Sequence, residues 1–259
     1  MKVVFIGDVV ASPGRQGFAE VMPELRERFE PDLVIVNGEN SAGGVGITPN
    51  TAAELFAAGA DVITLGNHAY RRSEVLDYLD GEAPVIRPSN FRRSNPGRGS
   101  ILVEAAGRTV AVINLIGRIG LDAARSPFDE ADLLIDELSD RADAIVVDFH
   151  AEVTSEKVAL GWYLDGRVAA VLGTHTHVPT ADGRVLPGGT AFISDVGMTG
   201  SRNGVLGVDR EVIIERMRTG MPARFTDATG DVWVMGAAIE IGENGLAVGI
   251  EPFQVQASG

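Results

Sequence analysis

The chain has 259 residues, enough to bury a sizeable core and close to the upper limit of one domain, and it is read as a single domain over residues 1–259. With 45% hydrophobic and 22% charged residues, its composition excludes intrinsic disorder and fibrous repeats. Thirty-six acids against 22 bases give a formal charge of −14, which argues against binding duplex nucleic acid or an anionic bilayer, and the absence of cysteine excludes disulfides, thiolate metal sites and cysteine nucleophiles.

Short β-branched runs alternate with helix-like stretches. In chain order the pattern predicts a strand at 2–6, a helix at 15–29, a strand at 32–37 and a helix at 49–58, opened by Thr48-Pro49 as N-cap and first helical residue. A strand at 61–65 and a helix at 73–79 follow. Residues 87–99 read as the longest loop and carry Arg87, Arg92, Arg93 and Arg98. Next come a hairpin of 102–106 and 109–115, a helix at 128–139, a strand at 144–149 and a helix at 155–164 with a cap region at 154–157. Strands at 168–172 and 190–194, a small antiparallel turn at 181–184, a helix at 209–218 and a hairpin of 232–241 and 246–255 complete the pattern. Continuous apolar runs mark strands buried on both faces of a layered α/β fold, and the hairpins make its sheets mixed. No apolar run approaches the ~20 residues of a membrane span. Asp8 interrupts the first apolar stretch too early for a signal peptide, so a cytoplasmic location is expected.

Chemistry concentrates at the strand ends. All four histidines, His68, His150, His175 and His177, fall just past a predicted strand, where open α/β sheets bind ligands because the sheet fixes the loop roots. One such histidine would more often be structural. Four of four, two of them within Gly173-Thr174-His175-Thr176-His177, point to a shared site. In an extended segment, His-x-His turns both imidazoles to one face. Asp8, Glu39 with Asn40, and Asn67 beside His68 end the remaining strands. Carboxylates, amides and imidazoles together suit iron, manganese or zinc, and about seven such ligands over-supply one ion but serve two that share a carboxylate.

The order Asp, Glu-Asn, Gly-Asn-His, His and His-x-His resembles that of the calcineurin-like metallophosphoesterase superfamily. The blocks GDVVASPGR (7–15), NGENSAG (37–43), TLGNH (64–68), DFHAEVTSEKVALGWYLDGR (148–167), GTHTHVPTAD (173–182) and FISDVGMTG (192–200) are similar to its bacterial YmdB-type branch, over about residues 2–255. The resemblance implies a four-layer αββα sandwich, two mixed β-sheets flanked by helices, with a dinuclear centre at one edge. It implies metal ligation by Asp8, Glu39, Asn40, Asn67, His150, His175 and His177, with Glu39 bridging, and makes His68 the catalytic histidine beside the metals. The superfamily opens Asp-x-His where this chain has Val10, and it bridges through Asp where this chain has Glu39. Asn40 is expected to substitute for the missing imidazole. Tyr70 stands where the branch commonly has an aromatic.

The implied activity is hydrolysis of a small phosphodiester, a cyclic nucleotide above all, by metal hydroxide, with His68 as general acid. Two divalent or mixed-valence ions are expected, iron favoured over manganese and zinc. Arg92 and Arg93 in the arginine-rich loop, or else Arg15, Arg118 and Arg125, are expected to steer the anion into an acidic protein, the alternative being a plain solvated loop. A phosphomonoesterase on the same centre and a regulatory metal-binding protein with incidental turnover remain as alternatives. An amidohydrolase is disfavoured, because its His-x-His lies on the first strand. The expected partner is a small nucleotide, without duplex nucleic acid or membrane, and homo-oligomerisation is left open.

Overall fold

The computed structural model describes residues 1–258. The chain begins with β1 (Lys2–Ile6), β2 (Asp8–Val9), α1 (Ala11–Phe29), β3 (Leu33–Asn37), α2 (Pro49–Ala57) and β4 (Val62–Thr64). A single 3-10 turn (Ser73–Val75) leads into α3 (Leu76–Leu79) and β5 (Val85–Ile86). Then come β6 (Ser100–Ala105), β7 (Arg108–Ile116), α4 (Pro127–Leu138), β8 (Ala144–His150), α5 (Thr154–Tyr163), β9 (Ala170–Thr174), β10 (Arg184–Val185) and β11 (Ala191–Ile193). The remainder holds β12 (Met198–Ser201), the short hairpin β13 (Gly204–Val205) and β14 (Val208–Asp209), α6 (Arg210–Thr219), and the long hairpin β15 (Val232–Ile241) and β16 (Ala247–Gln256).

Eight strands form one sheet in the order β2-β12-β15-β1-β3-β4-β5, with β16 on β15, and six form a second in the order β10-β11-β9-β8-β7-β6. Within the first, β1, β3, β4 and β5 run parallel; within the second, β7, β8, β9 and β11 do. Burial on both faces explains the continuous apolar runs. Val3, Phe5 and Ile35 face Val112, Val146 and Leu172 of the second sheet, while Val4, Ile6, Val34 and Val36 lie under Phe18, Leu25 and Leu55 of α1 and α2. Across the molecule, Ile113, Val147 and Phe149 pack under Leu134, Ile135 and Leu160 of α4 and α5. Each such side chain stabilises the fold by roughly 1.5–3 kcal/mol. Three apolar layers between four layers of secondary structure make the αββα sandwich that the motif order implied.

Four local readings are corrected. Helix α1 starts at Ala11, not 15, because Pro13 sits in its first turn, where a missing N–H costs no hydrogen bond. Helix α5 has Val153 as N-cap without a side-chain cap, so residues 154–157 do not act as capping groups. The antiparallel turn placed at 181–184 lies further on, between β10 and β11, which pair Arg184 with Phe192. The hairpin β13–β14 escaped notice, since two-residue strands carry no readable periodicity. The Thr48 cap is as expected, with its Oγ1 accepting from the Thr51 N–H at 3.2 Å. Among the described residues no helix is long and apolar enough to cross a membrane.

Candidate metal centre

The carboxyl ends of β1, β3 and β4 from one sheet meet those of β8 and β9 from the other. Glu39, buried after β3, places Oε1 3.1 Å from His150 Nε2 and 3.4 Å from His68 Nδ1, while its Oε2 accepts from the His68 N–H at 2.9 Å. Asn40 links the group together: Nδ2 lies 3.2 Å from Glu39 Oε1 and 3.2 Å from His177 Nε2, and Oδ1 lies 2.7 Å from His68 Nδ1. Asn67 Oδ1 is 3.0 Å from His150 Nε2. Asp8 Oδ2 accepts from the His175 N–H at 3.2 Å, and its Oδ1 stands 3.7 Å from His177 Nε2. All eight residues singled out in the sequence therefore form one connected cluster.

The donor set fits divalent cations. Asp8 Oδ1 is fully buried yet has no hydrogen-bond partner, an expensive arrangement unless a positive charge meets it. Glu39, His150 and His175 present ligand atoms within 4.8 Å of one another. Each of the three clustered imidazoles also has one nitrogen engaged by a group outside the cluster. His150 Nδ1 donates to Thr174 Oγ1 at 2.9 Å, which donates onward to Asp148 Oδ1 at 2.7 Å. His177 Nδ1 donates to the Leu206 carbonyl at 3.3 Å, and His175 Nε2 faces Glu152 Oε2 at 2.9 Å. Such outer partners fix the tautomer and aim the free nitrogen at a metal. At Gly66 a Cβ would stand 2.3 Å from His150 Nε2 and 2.4 Å from Glu39 Oε2, so only glycine lets this loop close on the cluster.

Burial opposes charge on His150, but the charge and hydrogen bond of Glu39, with the charge of Asp8, push its pKa up to about 9. His177 is likewise raised against its burial by Asp8. Burial would raise both carboxyls, yet these imidazoles hold Asp8 and Glu39 below the ordinary carboxylate range. His175 drops to about 4 through burial and the charge of His150. A positive charge among these carboxylates is thus strongly favoured.

His-x-His does not converge by strand alternation, as the sequence reading assumed. His175 and His177 adopt φ values of 96° and 65°, in the left-handed region that non-glycine residues avoid. What holds them was not legible. Lys157 Nζ, buried on α5, donates to Asp195 Oδ2 at 2.7 Å, and the same oxygen accepts from the Thr176 N–H at 3.1 Å and from Thr176 Oγ1 at 2.7 Å. Glu156, its buried neighbour, accepts from the Arg118 N–H at 2.9 Å. Residues read as a cap region are internal ties, and only their place on a partly apolar helix hinted at it.

The arginine-rich loop divides in two. Buried Arg87 donates to the carbonyls of Pro88, Ser89, Asn95 and Pro96, and Arg98 to those of Gly81, Glu82 and Ala83, so both build the loop. Arg92 and Arg93 are exposed. The loop rests against the residue two beyond His68: Tyr70 Oη donates to the Pro96 carbonyl at 2.8 Å, and its ring lies 5.8 Å from that of Phe91. Arg15 is committed to Glu54 and the Ser41 carbonyl, and Arg125 to Glu130 and the Ser89 carbonyl.

Two mixed sheets joined at an edge that carries carboxylates and imidazoles are the architecture of metallophosphoesterases, and two solved structures share it along the whole chain. One is a hypothetical protein from Thermus thermophilus, with a TM-score of 0.93 and 42% identity over 99% of this chain and 100% of that one. The other is described as a novel phosphatase from Mycoplasma pneumoniae, with a TM-score of 0.92 and 33% identity over 99% of this chain and 93% of that one. Within this class the chain belongs to the family described as YmdB-like protein, whose model matches residues 4–253. A relative from Bacillus subtilis (strain 168), a 2′,3′-cyclic-nucleotide 2′-phosphodiesterase, is 51% identical over 93% of this chain and 91% of that protein.

Proposed function

We propose that this chain is a metal-dependent phosphodiesterase acting on small cyclic nucleotides, with His68 donating the proton that the leaving oxygen needs. The observation that carries this reading is the division of the four imidazoles. Three have one ring nitrogen engaged by a group outside the cluster, whereas His68 has Nδ1 on Asn40 Oδ1 within it and is the most exposed, at 24% against 19% for His175. Asp8, Glu39, Asn40, Asn67, His150, His175 and His177 would hold two cations, with Glu39 shared between them; iron, manganese or zinc suits these donors. When bound, the pair supplies Lewis acidity, neutralising phosphoryl oxygens and bringing a water close to ionisation at neutral pH.

Asn40 accepts from His68 Nδ1–H, which fixes the ring and leaves Nε2 for proton transfer. Burial lowers the His68 pKa, with Glu39 opposing, so its protonated form is a stronger acid than free imidazolium. An arriving phosphodiester adds negative charge beside the ring and favours the protonated form. Exposed Arg92 and Arg93, on the loop seated against Tyr70, add a local positive field in a protein of charge −14. The cyclic-nucleotide class rests on the name of the Bacillus subtilis relative.

The test compares the metal-loaded protein on a 2′,3′-cyclic nucleotide with the corresponding mononucleotide monoester. Faster cleavage of the cyclic diester is expected. Preference for the monoester would make the protein a phosphatase, and turnover of neither would make it a binding protein.

A further inference from the structure

We propose that a cavity on the outer side of His177 receives the nucleobase of the substrate; this rests on the cyclic-nucleotide reading above. The cavity has a volume of about 230 Å³ and is lined by His177, Val178, Arg202, Leu206, Met235 and Gln254, among others. Pockets for whole drug-sized ligands run to roughly 300–1,000 Å³, so this one suits a single heterocycle whose phosphate lies elsewhere. Where the phosphate lies follows from His177. Its Nε2 is turned toward Asp8 and Asn40, while its Nδ1 binds the Leu206 carbonyl in the cavity wall. The His177 ring lines the cavity on one side and meets the cluster on the other, so a ribose lying along its edge would link a base in the cavity to a phosphate at the cluster.

The walls have the chemistry that bases need. Met235 gives a buried apolar floor, and Val178 and Leu206 leave apolar side chains 56% and 46% exposed at the rim. Arg202 holds its planar guanidinium over the Trp233 ring at 4.6 Å, and Gln254 offers an amide able to donate to and accept from a base edge. Proteins commonly hold unstacked bases against aromatic or guanidinium planes with hydrogen bonds at the base edge, and His177, Arg202 and Gln254 offer those groups here.

Leu206 supplies the independent observation. It occupies the two-residue turn between β13 and β14 with φ 53°, followed by Gly207 at φ 86°, where Asn-Gly is the favoured pair. A leucine here strains the backbone, and no core packing offsets the strain, because its side chain is half exposed. The hairpin is nonetheless firmly seated: a Cβ on Gly207 would stand 2.5 Å from Val10 Cγ1. A strained, rigidly placed, apolar tip whose carbonyl orients a clustered imidazole is accounted for by a ligand that covers it.

The experiment measures KM for a 2′,3′-cyclic nucleotide and for methyl riboside 2′,3′-cyclic phosphate, which carries a methoxy group in place of the base. Leu206→Asn keeps the carbonyl on His177 and suits the left-handed backbone, so the variant folds; Gln254→Ala is an exposed change on β16. The wild type should bind the nucleotide more tightly, and Leu206→Asn should reduce that preference about 10-fold, the order of losing the burial of one leucine side chain. Gln254→Ala should reduce it less. Hydrolysis of both substrates with an unchanged KM ratio in both variants overturns the inference alone. Turnover of neither substrate by the wild type refutes the phosphodiesterase reading and the inference with it. A changed oligomeric state with an unchanged ratio marks the cavity as a contact between copies and also overturns the assignment.

Discussion

Glu39 meets His150, His68 and Asn40 through one carboxylate, at distances of 3.1, 3.4 and 3.2 Å. Glu39→Gln keeps the shape and removes the charge that would balance the two proposed cations, so it is expected to lose at least one metal per chain and most activity. Metal analysis of the purified variant checks this, and full metal content would contradict the shared role. His68→Ala is expected to behave oppositely, keeping its metals while kcat falls roughly 10²–10⁴-fold, the range for general acid help. A drop in metal content would make His68 a ligand instead. These residue identities were legible because strand-end positions follow from where apolar runs stop. The way His175 and His177 converge was not, since their left-handed backbone is tied through Thr176 to Asp195, eighteen residues beyond His177 in sequence and invisible to local pattern.

At the scale of elements, long parallel strands declared themselves through unbroken apolar runs, as β3 and β8 do, both buried along their whole length. Short pieces did not: β2, β12 and the β13–β14 hairpin owe their existence to pairing across the chain, which no window of sequence contains. Helix α5 shows the same limit with consequences for the site. Its Lys157 is buried against Asp195, and removing one partner of such a pair leaves an uncompensated buried charge, at a cost of about 3–5 kcal/mol. Lys157→Met should therefore lower unfolding stability by that order in a denaturant titration, and it should weaken metal retention, because Asp195 also holds Thr176 between the two histidines. Stability within about 1 kcal/mol of wild type would show that the tie does not position the loop.

For the molecule as a whole, the sandwich explains why the site needs two sheets. The eight-stranded sheet delivers Asp8, Glu39, Asn40 and Asn67, and the six-stranded sheet delivers His150, His175 and His177. Neither half carries both the carboxylates and the clustered imidazoles, so charge balance at the centre depends on the fold being closed. The alternation of elements made the layered architecture legible, and the order of the strand-end polar residues made the edge legible; the tilt of one sheet on the other is set by side-chain packing that no pattern encodes. The account is tested most directly by titrating metal-stripped protein with iron, manganese or zinc while following hydrolysis of a 2′,3′-cyclic nucleotide. It predicts negligible turnover without metal and a rate that rises to a plateau at two equivalents per chain. Full activity in the stripped protein, or a rate indifferent to added metal, would contradict it.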